Sequence, residues 1–446
     1  MSLQNICVHV CSQTVSEVFS VGNAALLASF LAHVILANMG ILANPLSTDP
    51  ASVDLLSPSL YERGVPHDVF RHLREHEPLS FRHSAFAGPK DPGYWLLTRH
   101  ADVHSILLDT SSYSSYRGGT NLLDESPDQL DAGRMMLINM DPPNHTRYRR
   151  LITRSFAARA VADLEPHVRT LCTQVVDNII DRGQCEFVRD VASQVPMQVI
   201  FMLLGVPEQD WAYLCELTDT MMNNGGTEAA MGAVLKLYMY SDELASRRRQ
   251  SPGADMVSLL LTSEVNGELL SQAEFNAFFL LLVVAGNETT RNLIAGGMLA
   301  LIEHPEELAK LQHDPSLVPS AVEEMLRFVS PVIQFRRTAN RDIELYGQKI
   351  REGDRVIVAH TSANRDERVF ANPDSFSVTR SPNPHLAFGV GVHLCLGATL
   401  ARLEARCMFD ELLRRITAPE VSGPVVRMHS NLVNGYKQLP LCFRPR

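Results

Sequence analysis

Hydrophobic residues recur with the period of an α-helix along most of the chain from about Asp49 onward. Capping residues and prolines at the ends of these periodic stretches predict where the helices begin and end. The predicted helices are residues 66–76, 100–108, 145–158, 162–182, 191–204, 208–249 with a break at 223–226, 271–303, 320–328 and 398–416. The longest of them, at 271–303, contains an apolar run at 278–284, so we expect it to be buried.

Strand patterns are fewer and lie mostly late in the chain. Residues 342–346 alternate, Gly347 is expected to turn the chain, and residues 355–358 are expected to return as an apolar strand. Further short strands are predicted at 94–98, from residue 335, and after residue 425. A mostly helical chain with a small, separate β portion belongs to the α+β fold class. No linker or repeat interrupts residues 49–446, so we expect them to form one domain.

Residues 1–48 form an apolar N-terminal extension with three possible interpretations. Residues 18–48 contain no Asp, Glu, Lys or Arg, and 24–42 are almost long enough to cross a bilayer. However, Asn23, His33 and Asn38 interrupt the apolar run, and no basic residue precedes it to orient a signal peptide. The extension could be a membrane anchor, an additional helix, or an over-extended reading frame whose true start is Met39. We expect a cytoplasmic protein, with membrane association through residues 18–45 as the alternative.

Composition and charge exclude several classes of partner. The 446 residues are 45% hydrophobic and 20% charged, which is typical of a soluble globular protein. The net charge of -10 opposes binding to nucleic acid, so we expect no such partner and a monomer that binds a small molecule. The eight cysteines show no zinc-ligand spacing, and we expect reduced thiols in the core. Cys395 is the exception.

The segment Phe388–Gly397, FGVGVHLCLG, carries the densest chemical signal and precedes a predicted helix. Its glycines permit a tight loop whose backbone N–H groups point at the Cys395 sulfur. The positive end of the following helix would also stabilise a thiolate, and Phe388 would shield it from water. The simpler alternative is a glycine-rich turn with an incidental buried cysteine. The spacing F-x-x-G-x-H-x-C-x-G closely resembles that of the cytochrome P-450 family.

This resemblance covers essentially residues 49–446 and implies a haem-thiolate monooxygenase of the bacterial type. Cys395 would then be the axial ligand of the iron in haem b, and an axial thiolate favours O–O cleavage. Phe388, Gly391 and Gly397 would shape the cofactor-binding loop, and His393 would be a propionate donor. Such an enzyme uses dioxygen and two external electrons to hydroxylate a hydrophobic small molecule.

The middle of the long helix carries a polar cluster, Ala285–Thr290, inside an apolar stretch. Burying an acid and hydroxyls costs free energy unless they are paired or used. By resemblance, Thr289 is the oxygen-activating alcohol and Glu288 the acid that relays protons, although the family more often has Asp there. A kinked structural helix is the alternative.

Two basic motifs resemble the propionate-binding residues of the family. His145 and Arg149 lie one turn apart on a predicted helix, and haem propionates need cationic or N–H donors. By resemblance they bind one propionate, and Arg337, rather than Arg336, reaches the other. A solvated basic helix face is the alternative for the first pair.

Glu324 and Arg327 can pair on one face of a helix, and the resemblance makes this pair structural. In relatives another arginine completes the network, and Arg368 and Arg380 are both candidates here.

The segments AGNETTR, PVIQFRRTA and SNLVNGYKQLP resemble the branch that oxidises sterols, branched lipids or terpenoids. An apolar substrate site is expected, and methionines 221, 222, 231 and 239 would suit an adaptable wall, although ordinary core packing is equally compatible. The lining segments predicted for it are residues 114–123, 218–239, 279–286, 329–334 and 430–436.

Electrons are expected from a separate ferredoxin and ferredoxin reductase. Four arginines of the helix after Cys395 could dock an acidic ferredoxin or form a solvated face: Arg402, Arg406, Arg414 and Arg415. Other functions open to this fold are those of a peroxygenase or isomerase and of a non-catalytic haem sensor. Glu288 and Thr289 argue against both.

Overall fold

A computed structural model of the protein describes residues 50–223, 227–265 and 267–446. The predictions for residues 1–48, including the anchor and the Met39 start, lie outside these ranges. Among the described residues, no helix is both long enough and apolar enough to span a membrane.

Helices dominate the described chain, as the sequence predicts. The α-helices are α1 (His67–His76), α2 (His100–Leu108), α3 (Pro127–Gly133), α4 (Asn144–Thr153), α5 (Ala158–Ala162), α6 (Glu165–Ile180), α7 (Gln194–Leu204), α8 (Glu208–Asn223), α9 (Glu228–Gln250), α10 (Met256–Thr262), α11 (Gln272–Glu303), α12 (Pro305–His313), α13 (Val318–Val329), α14 (His360–Ala363) and α15 (Ala398–Arg415). The start of α11 is fixed by a capping box, in which Ser271 and Glu274 each accept the other's backbone N–H.

The strands are short and form several small sheets. They are β1 (Leu79–Arg82), β2 (Tyr94–Leu97), β3 (Tyr113–Ser114), β4 (Gln184–Glu186), β5 (Glu264–Val265), β6 (Glu268–Leu269), β7 (Gln334–Ala339), β8 (Ile343–Leu345), β9 (Gln348–Ile350), β10 (Arg355–Ala359), β11 (Ile416–Val421), β12 (Val426–Arg427), β13 (Tyr436–Gln438) and β14 (Pro440–Pro445). The largest sheet has five strands in the order β1-β2-β10-β7-β3, in which only β2 and β10 run parallel. A second sheet has the order β11-β14-β4.

The predicted pairing of residues 342–346 with 355–358 is wrong. Strand β8 pairs with β9, because Tyr346 and Gly347 both have positive φ and close a tight hairpin. Strand β10 is buried at all five positions and therefore lies inside the large sheet, between β2 and β7.

Helix α11 forms the axis of the helical part of the core. It packs against α7, α9, α13 and α15, and most of its residues from Phe275 to Leu301 are buried. Separate apolar clusters lie around the five-stranded sheet. The Cys395 loop reaches both parts, since Val390 packs on a sheet cluster while Phe388 and Leu396 pack on the helical core.

Candidate active site around Cys395

A tight loop between Leu386 and Ala398 holds Cys395. The Cys395 N–H donates to the Phe388 carbonyl at 2.9 Å, and the Gly397 N–H donates to the sulfur. Gly389 and Gly391 have φ of 66° and 74°, which few other residues adopt. At Gly391 a side chain is also excluded sterically, because a Cβ would lie 3.0 Å from the Leu107 carbonyl.

The sulfur is accessible, but protein surrounds most of it. This desolvation raises the pKa of the Cys395 thiol, whereas the Gly397 N–H and the charges of Arg149 and Arg402 lower it. The protein therefore supplies partial stabilisation of a thiolate, and a cationic partner at the sulfur would complete it.

A cluster of basic side chains lies beside this loop. The imidazoles of His145 and His393 are 4.2 Å apart between ring centroids, and Arg337 is buried nearby. His145 Nδ1 has no hydrogen-bond partner among the described residues, and the Arg337 guanidinium donates to the Arg336 carbonyl at 2.8 Å. Asp141 is the acid near Arg337, but it is already bonded to Ser115.

Burial is the main cause of the lowered pKa values of these groups. Burial lowers the pKa of His145 to about 4, that of His393 to about 2 and that of Arg337 to about 10. Repulsion from Arg337, His145 and Arg149 lowers the His393 value further. An anionic group bound here would relieve this repulsion and satisfy the unpaired donor.

Arg336 and Arg149 are already engaged elsewhere. Arg336 donates to Asp124 at 2.6 Å, which supports Arg337 as the member of the pair that is available to a ligand. Arg149 donates to the Val392 and Leu394 carbonyls at 3.0 and 2.5 Å, so its guanidinium braces the Cys395 loop from α4. His145 and Arg149, predicted to act as one pair, thus have different surroundings.

Glu288 and Thr289 lie in the middle of α11. Glu288 is buried, which raises the pKa of its carboxyl, and Arg291 opposes this shift through an ion pair of 3.1 Å. The Thr289 hydroxyl is partly accessible and donates to the Ala285 carbonyl at 3.0 Å. Its oxygen therefore keeps its lone pairs available as acceptors.

The Glu324–Arg327 pair is fully buried and forms a bidentate contact with both N···O distances at 2.8 Å. Arg380 completes the network by donating to both Glu324 oxygens at 3.0 Å. Arg368 instead pairs with Asp366 and Glu367. The choice left open by the sequence therefore falls on Arg380.

Comparison with known proteins places this geometry in a family. The sequence model described as Cytochrome P-450 matches residues 231–437. Cytochrome P-450 126 of Mycobacterium tuberculosis is 38% identical over 88% of this chain and 98% of its own length. The chain belongs to the cytochrome P-450 family. The steroid C26-monooxygenase of Mycolicibacterium smegmatis is 35% identical, over 88% of this chain and 94% of its own. A Mycobacterium marinum cytochrome P-450, solved in complex with pseudoionone, has a TM-score of 0.81 and 33% identity, covering 90% of this chain and 100% of that one.

Haem b is the cofactor of this cytochrome P-450 monooxygenase, and the residues present fit it. An accessible cysteine sulfur, a buried arginine without its own carboxylate and a buried histidine nitrogen without a partner match the iron and the propionates of that group. Among the described residues, no cluster of His, Cys, Asp and Glu offers a second metal site.

Some functional neighbours were not predicted from the sequence. Glu323 pairs with Arg402 beside the Cys395 loop, and Arg291 pairs with Glu288 in α11. The second pair has the i,i+3 spacing that could have revealed it. The first joins α13 to α15 across 79 positions, and no local pattern signals it.

Proposed function

We propose that this cytochrome P-450 hydroxylates a hydrophobic small molecule of the sterol or steroid, branched-lipid or terpenoid class. The observation that carries the proposal is the Glu288–Thr289 pair, an accessible hydroxyl beside a buried acid within an apolar helix. A haem-binding sensor or peroxygenase has no need of such a pair. The identity of 35% to a steroid C26-monooxygenase supports the substrate class.

The proposed roles of the cofactor-binding residues follow from their positions. Cys395 would be the axial ligand, His145, His393 and Arg337 would bind the propionates, and the remaining donors of Arg149 would face the same group. When bound, the haem supplies the redox-active iron that activates dioxygen. Phe388, Gly391 and Gly397 would hold the loop around the sulfur and limit the access of water.

Glu288 and Thr289 would relay protons to the site. Burial raises the pKa of the Glu288 carboxyl towards neutral pH, and an acid with a pKa in that direction can both take up and release a proton. The Thr289 oxygen can accept a hydrogen bond while its hydroxyl donates to the Ala285 carbonyl. The ion pair with Arg291 keeps the acid in one orientation inside the helical core.

The proposed substrate site would lie between α11 and two segments that contact each other. Val332 and Val433 form a β-bridge, and the Ile333 N–H donates to the Leu432 carbonyl at 2.8 Å. The side chains of Val332, Leu432 and Val433 are only partly buried, as is Val284 of α11. An apolar substrate would remove such surfaces from water.

Two of the four methionines predicted to line this site are exposed. Met231 and Met239 are 44% and 63% exposed on the outer face of α9, and Met221 is fully buried in the core. The side chain of Met222 lies outside the described residues. Adaptability of the substrate site therefore cannot be assigned to Met231 or Met239.

Titration of the purified protein with a steroid, a branched fatty acid and a monoterpene alcohol tests the substrate class. A ligand that enters an apolar site next to the iron displaces water and shifts the spin state. We expect such a shift with at least one compound, followed by a hydroxylated product with a surrogate ferredoxin system. The absence of any shift would remove this substrate class.

The Cys395→Ser variant tests the assignment of the ligand itself. We expect it to lose the red-shifted carbon-monoxide band of a reduced haem-thiolate protein. An unchanged band in this variant would refute the role of Cys395.

We also propose a ferredoxin as the electron donor, with its docking surface on α4 and the segment that follows it. The four α15 arginines predicted for docking are all ion-paired within the protein, with Glu323, Glu165, Glu411 and Asp177. In contrast, Arg150, Arg154 and Arg159 are exposed and have no carboxylate partner among the described residues. Unpaired arginines attract an acidic partner more strongly than paired ones.

A further inference from the structure

A cavity of about 540 Å³ opens beside Cys395. It is lined by residues of α4, of the segment that follows α4, of the Cys395 loop and of α15, and by none of α11. Glu288 and Thr289 therefore do not contribute to its wall. Arg402, His385 and Phe388 all contribute to its wall.

One carboxylate fixes the position of Arg402. Glu323 of α13 accepts two hydrogen bonds from the Arg402 guanidinium, at 2.6 and 2.8 Å, and faces His385 Nε2 at 3.1 Å. Although partial burial would raise the pKa of Glu323, the hydrogen bonds from Arg402 and His385 lower it to about 2. The pair is thus ionised throughout the physiological range, and the bidentate geometry limits the movement of Arg402.

The same guanidinium lies over the ring of Phe388, which lines the cavity together with Cys395. Its carbon lies 4.5 Å from the centroid of the Phe388 ring, within the range of a cation–π contact. Its positive charge also acts on the Cys395 thiol, where it favours the ionised form. Glu323 partly cancels that charge. Two opposite charges of fixed geometry therefore lie close to the proposed iron ligand.

We propose that Arg402 is a positioning residue for the thiolate: held over Phe388 by Glu323, it sets the charge felt by the Cys395 sulfur and thereby the reduction potential of the haem. The inference rests on the proposed role of Cys395 as the axial ligand. It gives Arg402 a role in the resting enzyme, in place of the docking role predicted from the sequence. The charges and hydrogen bonds around an axial ligand are among the ways in which a protein adjusts that potential.

The two charges predict shifts of opposite sign. In R402Q the carboxylate of Glu323 is left without its partner, so reduction becomes less favourable and the midpoint potential falls. In E323Q the arginine is left uncompensated, so the potential rises. Each change is expected to be up to about tenfold in the equilibrium constant for one-electron reduction, or about 59 mV. The double variant should return towards the wild-type value.

The measurement is a redox titration of the holoprotein with dithionite, followed by absorbance and without any partner protein. The carbon-monoxide spectrum is recorded first, because a wild-type protein without the thiolate band would refute the proposed function rather than this inference. With that band intact, unchanged potentials, or shifts of the same sign in R402Q and E323Q, would overturn the role of Arg402. If R402Q fails to retain haem, the potentials of E323Q and R402K decide the question. The midpoint potential of E323Q must rise. That of R402K, which keeps the positive charge, must stay closer to the wild-type value.

Discussion

Glu404 is a buried acid that forms no ion pair with any of the described residues. It is 2% exposed in α15, and its Oε2 atom has no hydrogen-bond partner among the described residues. Burial raises the pKa of its carboxyl to about 8. The folded protein therefore binds a proton here that the unfolded chain releases near pH 4.5. This acid adds to stability below pH 4.5, and the contribution is lost as the pH rises through about 8.

Replacing Glu404 with Gln should make stability less dependent on pH. We expect E404Q to gain relative to the wild type between pH 5 and pH 8, because the amide needs no proton to remain neutral. Urea unfolding at several pH values measures the effect, with the exposed Glu420→Gln as the control. A difference between E404Q and wild type that stays constant with pH would show that Glu404 is not a protonated acid in the fold.

Replacing Arg337 tests its proposed role in binding a haem propionate. In R337Q the buried cation facing the proposed propionate site is lost, and charge-assisted hydrogen bonds contribute about 1.5–3 kcal/mol. We expect transfer of haem to an acceptor apoprotein to become roughly ten- to a hundredfold faster. Exposed Arg341, which contacts Ser112, supplies the control R341Q. Equal rates in the two variants would count against the assignment of Arg337.

The residues of the site that could be predicted from the sequence are those fixed by local spacing. Cys395, Glu288 and Thr289 each belong to a short motif within one loop or helix. The choice of Arg380 over Arg368 could not be made, because it depends on how the irregular chain after α14 folds back on α13. The exposure of Met231 and Met239 was missed for a similar reason, since helical spacing does not say which face of α9 meets the core.

At the level of elements, α13 organises the chain that leads to the sulfur. Arg327 of this helix donates to the Asn364, Pro373 and Ser375 carbonyls at 2.7–3.0 Å, in addition to Glu324. Glu324 in turn accepts from the Ser377 N–H. The irregular segment between α14 and the Cys395 loop thus takes much of its shape from two side chains of one helix.

This arrangement predicts different costs for two arginines of the same segment. R380Q should lower the free energy of unfolding by about 1–3 kcal/mol, because it leaves a buried carboxylate with fewer donors. R368Q should change it by about 0.5 kcal/mol or less, since that side chain is 43% exposed and Asp366, its partner, keeps the hydrogen bond from the His100 N–H. Denaturant unfolding of both holoproteins makes the comparison. A larger loss in R368Q would mean that Arg380 does not complete the network.

Most of the predicted helices match the structure to within a few residues, because their apolar period and caps are local. The short helices α3, α5, α10, α12 and α14 were not predicted. The ends of α2 match the prediction, and the helix predicted to start at residue 271 begins at Gln272, directly after the capping residue Ser271. Strand pairing was less predictable: β10 reads as the partner of the strand before it, although its true neighbours are β2 and β7. Strand β2 is more than 250 positions away, so nothing near β10 in the sequence marks it as a neighbour.

At the level of the whole molecule, net charge does not describe the surface around the sulfur. The chain carries -10, yet exposed Arg150, Arg154 and Arg159 on α4 and the segment after it form a basic area with no carboxylate partner in the part of the chain that the structure describes. Composition alone could not locate this area, because it depends on which arginines find carboxylates in the fold. The arginines of α15 form ion pairs with carboxylates of α6, of α13 and of α15 itself.

Reduction by an acidic ferredoxin should therefore depend on α4 rather than on the end of α15. The double variant R150Q/R154Q should slow second-order reduction at low ionic strength by about three- to tenfold and reduce its salt dependence. Variant R414Q/R415Q removes the same amount of charge and is the matched control. Stopped-flow reduction over a range of salt concentrations distinguishes them. Equal losses in the two variants would show that only total charge matters.

The hydrogen bonds from Arg327 to three carbonyls also affect how the molecule unfolds. From Asn364 to Gly397 the regular secondary structure is limited to a single turn at Gly391–His393, so this stretch has little of its own to keep it closed. Its amide protons should exchange with solvent in step with those of α13, as one cooperative opening unit. On heating, the protein would then release the porphyrin at the same temperature at which that helix unfolds.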